Sequence, residues 1–311
     1  MRILLVPDVE GWAWDRRCRG IQKYSDYDVS IRYENGTTAE VLKEYDASLF
    51  MNWSGAPRAK MQNHWVFVAN GNLRFEHEPH SKDFLKRCAS REKNLSRARS
   101  VIPRVHGVIT ANPRLFGFLT DLNSTVRYLP TGVDTEIFYP EEQIRTSRLT
   151  IGWCGKESTA DKWSPKGFAE ILEPLMAKDL QVNWALNTRE HANRLSAEEM
   201  RHWYNSIDLF LCTSCSEGGP TSLQEAMACG RGFVSTGVGL AGQLSEAGRC
   251  VPGYRNAEEA SLVVNYLYSV LKDLTEDTEQ VVEMGMRARR TILDRWDWRT
   301  LADTWCQVIG G

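Results

Sequence analysis

Cys215 to Gly230 reads CSEGGPTSLQEAMACG, and the reading of this stretch decides how the rest of the chain is understood. Ahead of it, Asp208 to Cys212 is a short apolar run with polar flanks, long enough for a buried strand and too short for a helix. Behind it, Pro220 suits the first turn of a helix, Leu223, Ala226 and Met227 supply an apolar face, and Cys229-Gly230 ends the helix. The segment is therefore a strand-to-helix crossing with Glu217, Gly218 and Gly219 in the turn.

Backbone N–H groups at such a helix start, backed by the positive end of the macrodipole, form an anion site. Gly218 and Gly219 let a phosphate approach, with Thr221 and Ser222 at the first turn. Glu217 sits in the turn, and Glu225 lies four residues after Thr221 on the same helix face, aimed at the same cleft. Carboxylates repel a bare phosphate. They suit a ligand that also carries hydroxyls, because an ionised carboxylate accepts from two vicinal O–H groups at roughly 1.5–3 kcal/mol per charge-assisted bond. A phosphate flanked by two sets of hydroxyls describes a nucleotide sugar. The competing reading is an ordinary strand-helix connection with a solvated glutamate at each end.

At these residues the chain resembles the retaining glycosyltransferases of family 4 (glycosyl transferases group 1), which carry Glu, seven intervening residues and Glu in a strand-turn-helix setting. Glu217, Gly218, Pro220, Glu225, Ala226 to Ala228 and Gly230 fall in register. Gly219 replaces the usual aromatic, Gln224 an aliphatic and Gly232 a proline. Gly237 and Gln243 stand where acidic residues are frequent, so donor-sugar specificity does not carry over. The resemblance implies a GT-B fold, two Rossmann-like α/β domains facing a central cleft with a C-terminal helix crossing back to the first. It also implies that Glu217 faces the donor sugar hydroxyls and that Glu225 holds the ribose.

With 311 residues the chain is long enough for two core-bearing domains. Met1 to Val6 is too short an apolar run for a signal peptide, and no stretch reaches a membrane span, so the expectation is a cytoplasmic protein, at most peripheral at a membrane. The eight cysteines are scattered as buried thiols in a reducing compartment are. Cys212 and Cys215 form one CxxC, which without a second pair falls short of a zinc site.

From the start, Arg2 to Val6 reads as a strand running into the loop Asp8 to Trp12 and a helix from Ala13 to Tyr24. In a parallel sheet that loop faces the crevice, which makes Gly11 a candidate for close approach to donor phosphates or the acceptor, with a plain turn as the competing reading. Trp12, Trp14 and Trp53 are candidates either for stacking on an acceptor or for the core. Val29 to Arg32, Ala47 to Met51 and Trp65 to Ala69 read as strands, with a helix from Thr38 to Tyr45. Family members often place a catalytic histidine after that last strand, where this chain has Asn70. Ser81 to Arg104 is an amphipathic helix, and its Lys82 to Arg104 portion carries eight basic residues, among them Lys86, Arg87 and Arg91, against two acidic ones. Pro130 to Asp134 resembles the family's exit from the first domain, and Glu141 to Arg148 reads as the linker.

The second domain opens with a strand, Leu149 to Trp153, followed by Gly155-Lys156 and then Lys166-Gly167. The resemblance makes Lys166, and Lys156 in place of an arginine, the cations that neutralise a diphosphate leaving group. Trp296 to Trp298 resembles the family's aromatic turn before the last helix. The expected division is 1–146 for the acceptor domain, 147–290 for the donor domain and 291–311 for the crossing helix.

The reading is a retaining, metal-independent glycosyltransferase that moves a sugar from a nucleoside-diphosphate sugar by the front-face route. It needs no cofactor beyond that co-substrate. The basic stripe points to a glycan, lipid-linked or other anionic acceptor, with contact to a membrane surface or nucleic acid through Lys82 to Arg104. Two alternatives are glycosylation of modified nucleic-acid bases and a non-catalytic nucleotide-sugar-binding protein of the same fold.

Overall fold

In the computed structural model of the chain, residues 1–56, 63–68, 84–142, 147–155, 165–188 and 195–311 are described, without the side chains of 84–92 and 114. Short runs buried on both faces alternate with amphipathic helices, the pattern that forces parallel pairing. The first series is β1 (Arg2–Val6), α1 (Ala13–Tyr24), β2 (Asp28–Ile31), α2 (Ala39–Leu42), β3 (Ala47–Phe50), β4 (His64–Phe67), α3 (Phe84–Val101), β5 (Gly107–Thr110), α4 (Pro113–Thr120) and β6 (Val126–Tyr128). Its six strands are parallel in the order β2-β1-β3-β4-β5-β6.

The second series is β7 (Thr150–Gly155), α5 (Glu173–Met176), β8 (Asn183–Thr188), α6 (Ala197–Asn205), β9 (Leu209–Cys212), α7 (Thr221–Ala228), β10 (Gly232–Thr236), β11 (Arg249–Val251), α8 (Ala257–Glu276), α9 (Thr278–Arg295) and α10 (Trp298–Gly310). Its five strands are also parallel, in the order β11-β10-β9-β7-β8. In each sheet the strand order reverses beside the first strand, between β1 and β3 and between β7 and β9. These are the switch points where an open parallel sheet leaves a crevice beyond its carboxyl ends.

The chain forms two compact units, one including Met1–Leu73, Cys88–Asp134 and Arg295–Gly311, the other including Thr135–Asp294. The first core packs Ile3, Leu5, Leu49, Phe67 and Ile109 against α1 and against Trp298, Trp305 and Ile309 of α10. Gly20 makes this contact possible, since a Cβ there would lie 2.2 Å from the Trp298 ring. The Trp305 indole donates to Pro130 O at 2.9 Å, and Val133 exchanges backbone bonds with Trp296 and Trp298. The second core joins Ile151, Trp153, Leu209, Leu211 and Val234 of the sheet to α8 and to Ile171, Leu172 and Leu175.

Residues 135–142 go with the second unit, whereas the sequence reading starts the donor domain at 147. The reason is local anchoring. Glu141 accepts from Arg201 Nε at 2.6 Å and pairs with His202 Nδ1 at 2.8 Å, while Phe138 stands edge-on to Tyr204. The helix read from Thr38 to Tyr45 is the single turn α2, capped by Thr38. The helical stretch after Lys166-Gly167 is absent from the sequence reading. It opens as a π turn, Phe168–Leu172, that continues into α5. Among the described residues, no helix is long and apolar enough to cross a membrane.

Candidate active site

At the β7/β9 switch point the strand ends deliver Gly155 and the turn from Thr213 to Gly219 to one edge of the second sheet. Lys166 Nζ donates to Glu217 Oε1 at 2.5 Å, and Ser214 Oγ donates to the same oxygen at 2.8 Å. The lysine and glutamate side chains are 29% and 15% exposed, so a ligand can reach both. Burial alone would push the Lys166 ammonium down, but the Glu217 carboxylate outweighs it and holds the pKa above the ordinary lysine value. Lys166 is therefore a fixed cation at neutral pH.

Local backbone chemistry explains the pairing. Gly167 adopts φ 68°, and a Cβ there would lie 2.3 Å from both Thr213 O and the Tyr254 hydroxyl. Glycine is needed on both counts. Tyr254 donates to Thr213 O at 3.1 Å, Thr213 Oγ1 donates to Lys166 O at 2.7 Å, and the Trp153 indole donates to Thr213 Oγ1 at 2.9 Å. Cys215 N donates to Pro165 O at 2.9 Å. The backbone around Lys166 is thus clamped to the turn that carries Glu217. Beyond Gly167, both Ile171 N and Leu172 N donate to Gly167 O at 3.1 Å, which starts the π turn.

Past Glu217 the chain enters α7 through Pro220, whose carbonyl accepts from Leu223 N and Gln224 N. Gly218, Gly219, Thr221 and Ser222 are half-buried at this helix start. Glu225 has a different setting from Glu217. It is 1% exposed, and its Oε2 accepts from the buried Tyr204 hydroxyl at 2.9 Å. Helical spacing does put Glu225 on the Thr221 face, but one turn further along α6 packs over that face and covers the carboxylate.

Gly11 lies at the carboxyl edge of β1 with φ 73°, and its N–H donates to Asp15 Oδ2 at 2.9 Å. Asp15 is buried and also accepts from Tyr33 and Arg19. The Gly11 amide is therefore engaged by the protein's own carboxylate. Trp53 is a core residue at 3% exposure and Trp14 packs on the first core, while Trp12 is 40% exposed. Lys156 and Asn70 lie outside the described residues. Lys86, Arg87 and Arg91 lie on α3, with side chains outside the description. Further along α3 and just beyond it, Lys93, Arg97, Arg99 and Arg104 are exposed, and Arg97 donates to Ser54 O.

The sequence reading did not single out Ser214, Thr213, Trp153, Tyr204 or Tyr254. Thr213 and Ser214 do carry a signal, two hydroxyls between an apolar strand and a turn carboxylate.

Residues 173–269 match the family model described as Glycosyl transferases group 1. That span carries the glycosyl transferases group 1 signature. It includes Ser214, Glu217, α7 and Glu225. Three solved structures are similar in fold over nearly the whole length of the chain. Sucrose-phosphate synthase from Thermosynechococcus elongatus superposes with a TM-score of 0.77 at 13% identity, covering 99% of this chain and 98% of that one. Anabaena HepE, in complex with UDP and glucose, gives 0.68 at 14% identity over 99% of each chain. WaaG, a glycosyltransferase involved in lipopolysaccharide biosynthesis, gives 0.68 at 15%, covering 99% of this chain and 100% of that one. At these identities the likeness is one of fold, and that fold is GT-B. No curated protein sequence matches the chain.

Proposed function

We propose that the chain is a glycosyltransferase that moves a sugar from a nucleoside-diphosphate sugar to an acceptor, with retention at the anomeric carbon. The observation that carries the reading is the Lys166–Glu217 pair, 2.5 Å apart at the β7/β9 switch point, beside the start of α7 and with Glu217 inside the group 1 match. Lys166 and the helix start supply positive charge for the departing diphosphate, together with Lys156. Glu217 takes the sugar hydroxyls and stabilises charge developing on the ring. The ribose role that the resemblance gives Glu225 requires Tyr204 to yield, because the carboxylate is 1% exposed beneath it; the cations serve in place of a metal ion. The reaction follows the front-face route: the sugar–phosphate bond breaks, the acceptor oxygen bonds to the anomeric carbon on the same face, and the leaving phosphate oxygen takes the acceptor's proton. One similar structure holds UDP-glucose, which makes uridine donors the first to try. The acceptor is a glycan, a lipid-linked species or another anionic molecule, met through the Lys82 to Arg104 stripe, of which Cys88 to Arg104 belongs to the first unit.

The test is release of nucleoside diphosphate from a panel of nucleotide sugars, with and without EDTA, and the anomeric configuration of the product by NMR. Slow donor hydrolysis that survives EDTA is expected. Tight binding with no release would make the chain a nucleotide-sugar-binding protein, and inversion in the product would remove the front-face route.

A further inference from the structure

The turn that carries Glu217 also holds a buried hydroxyl that the proposed reaction does not yet use. Ser214, 2% exposed, stands three residues before Glu217 and donates to Glu217 Oε1 at 2.8 Å, the oxygen that Lys166 also holds. Behind it, the Cys212 thiol donates to Ser214 Oγ at 3.7 Å. Burial pushes that thiol up, with the nearby Glu217 charge acting the same way, so it remains a donor at neutral pH. The Ser214 carbonyl accepts from Thr236 Oγ1 at 2.5 Å, which fixes the backbone from β10. A hydroxyl that accepts from a thiol has its own proton to give, and here it gives it to the carboxylate. The chain thiol, hydroxyl, carboxylate runs in one direction and polarises along its length.

We propose that Ser214 is a positioning residue that fixes the orientation of Glu217 toward the sugar of a nucleoside-diphosphate sugar. The proposal rests on the transferase reading above and names one working part of that site. Its logic is a division of labour between the two donors on Oε1. Lys166 sits on a flexible four-carbon stem and must also serve the diphosphate, whereas Ser214 is short, buried and held at its backbone. When a donor draws Lys166 toward its phosphates, Ser214 is the contact that keeps Glu217 in place.

The experiment uses the full chain with whichever nucleotide sugar the wild type turns over. It compares Ser214→Ala, Ser214→Cys, Glu217→Gln and the Ser214→Ala/Glu217→Gln double variant. Loss of a hydrogen bond to a charged group predicts that Ser214→Ala lowers kcat roughly ten- to a hundredfold while donor KM and Tm stay near wild type. Ser214→Cys, which keeps a donor at the same position but a weaker and slightly larger one, falls in between and replaces Ser214→Ala if the latter melts early. The double variant should be no slower than Glu217→Gln alone, because both changes remove the same action. Unchanged kcat in Ser214→Ala, a loss confined to KM, or losses that multiply in the double variant would each overturn the assignment. A wild type inactive on every nucleotide sugar defeats the transferase reading, whereas an active wild type with an equally active Ser214→Ala defeats only the role of Ser214.

Discussion

Glu217 and Lys166 form a half-buried pair whose two members serve different parts of the proposed donor. Replacing Glu217 by Gln keeps the shape and removes the charge, so turnover is expected to fall on the order of 10² to 10³ while donor affinity changes little. Steady-state kinetics decide it, since a raised KM with kcat preserved would mark a ground-state contact. The pair also has a pH signature. Because the folded pKa of Lys166 is raised, its contribution to stability is complete below the ordinary lysine pKa and is lost as pH climbs through the raised value. Thermal unfolding of wild type and Lys166→Met should therefore differ by a constant amount through neutral pH and converge only in strongly alkaline solution. A gap that closes near pH 7 would show that some other group titrates there. The two carboxylates were legible in the sequence because their spacing and glycine turn are local features. Their unequal burial was not, because it depends on Tyr204 arriving from α6, a neighbour that only the folded chain supplies.

α10 completes the first unit, with Trp298, Trp305 and Ile309 all buried in its core. Trp305→Ala removes a fully buried indole together with its bond to Pro130 O, and is expected to cost about 3–5 kcal/mol. Denaturant unfolding should register the loss, and a cost under about 1 kcal/mol would mean that α10 does not help to hold the first sheet. Most strands and long helices could be read from periodicity alone, since parallel strands are short apolar runs and α8 and α9 keep a clear buried stripe. The stretch from Phe168 to Met176 escaped because Gly167 in the left-handed region and Pro174 look like loop residues. Its signal was Phe168, Ile171, Leu172 and Leu175, spaced as one helix face. The opposite error, α2, comes from a polar stretch whose cap at Thr38 is real but whose apolar face is too thin to extend a helix.

Across the whole molecule the basic residues are unevenly placed. Residues 1–146 carry 21 Lys and Arg against 18 Asp and Glu, and the remainder 17 against 22. If the α3 stripe receives an anionic acceptor, replacing Lys86, Arg87 and Arg91 together by Glu should abolish transfer and leave donor binding unchanged, and wild-type transfer should fall steeply with salt. A fully active triple variant would make the stripe ordinary surface. Composition showed the excess charge but not its partner, and sheet order was equally beyond it, because strand neighbours are chosen by tertiary packing. The division of the chain has a further consequence, for synthesis. A ribosome makes Thr135–Asp294 between the two parts of the first unit, whose sheet strands precede it and whose Arg295–Gly311 follows it. At about 5–20 residues per second, the nascent first sheet waits on the order of ten seconds or more for Trp298 and Trp305. Throughout that interval Leu49, Phe67 and Ile109 have α1 but not α10 in their core, so the sheet that is made first is the later to finish packing.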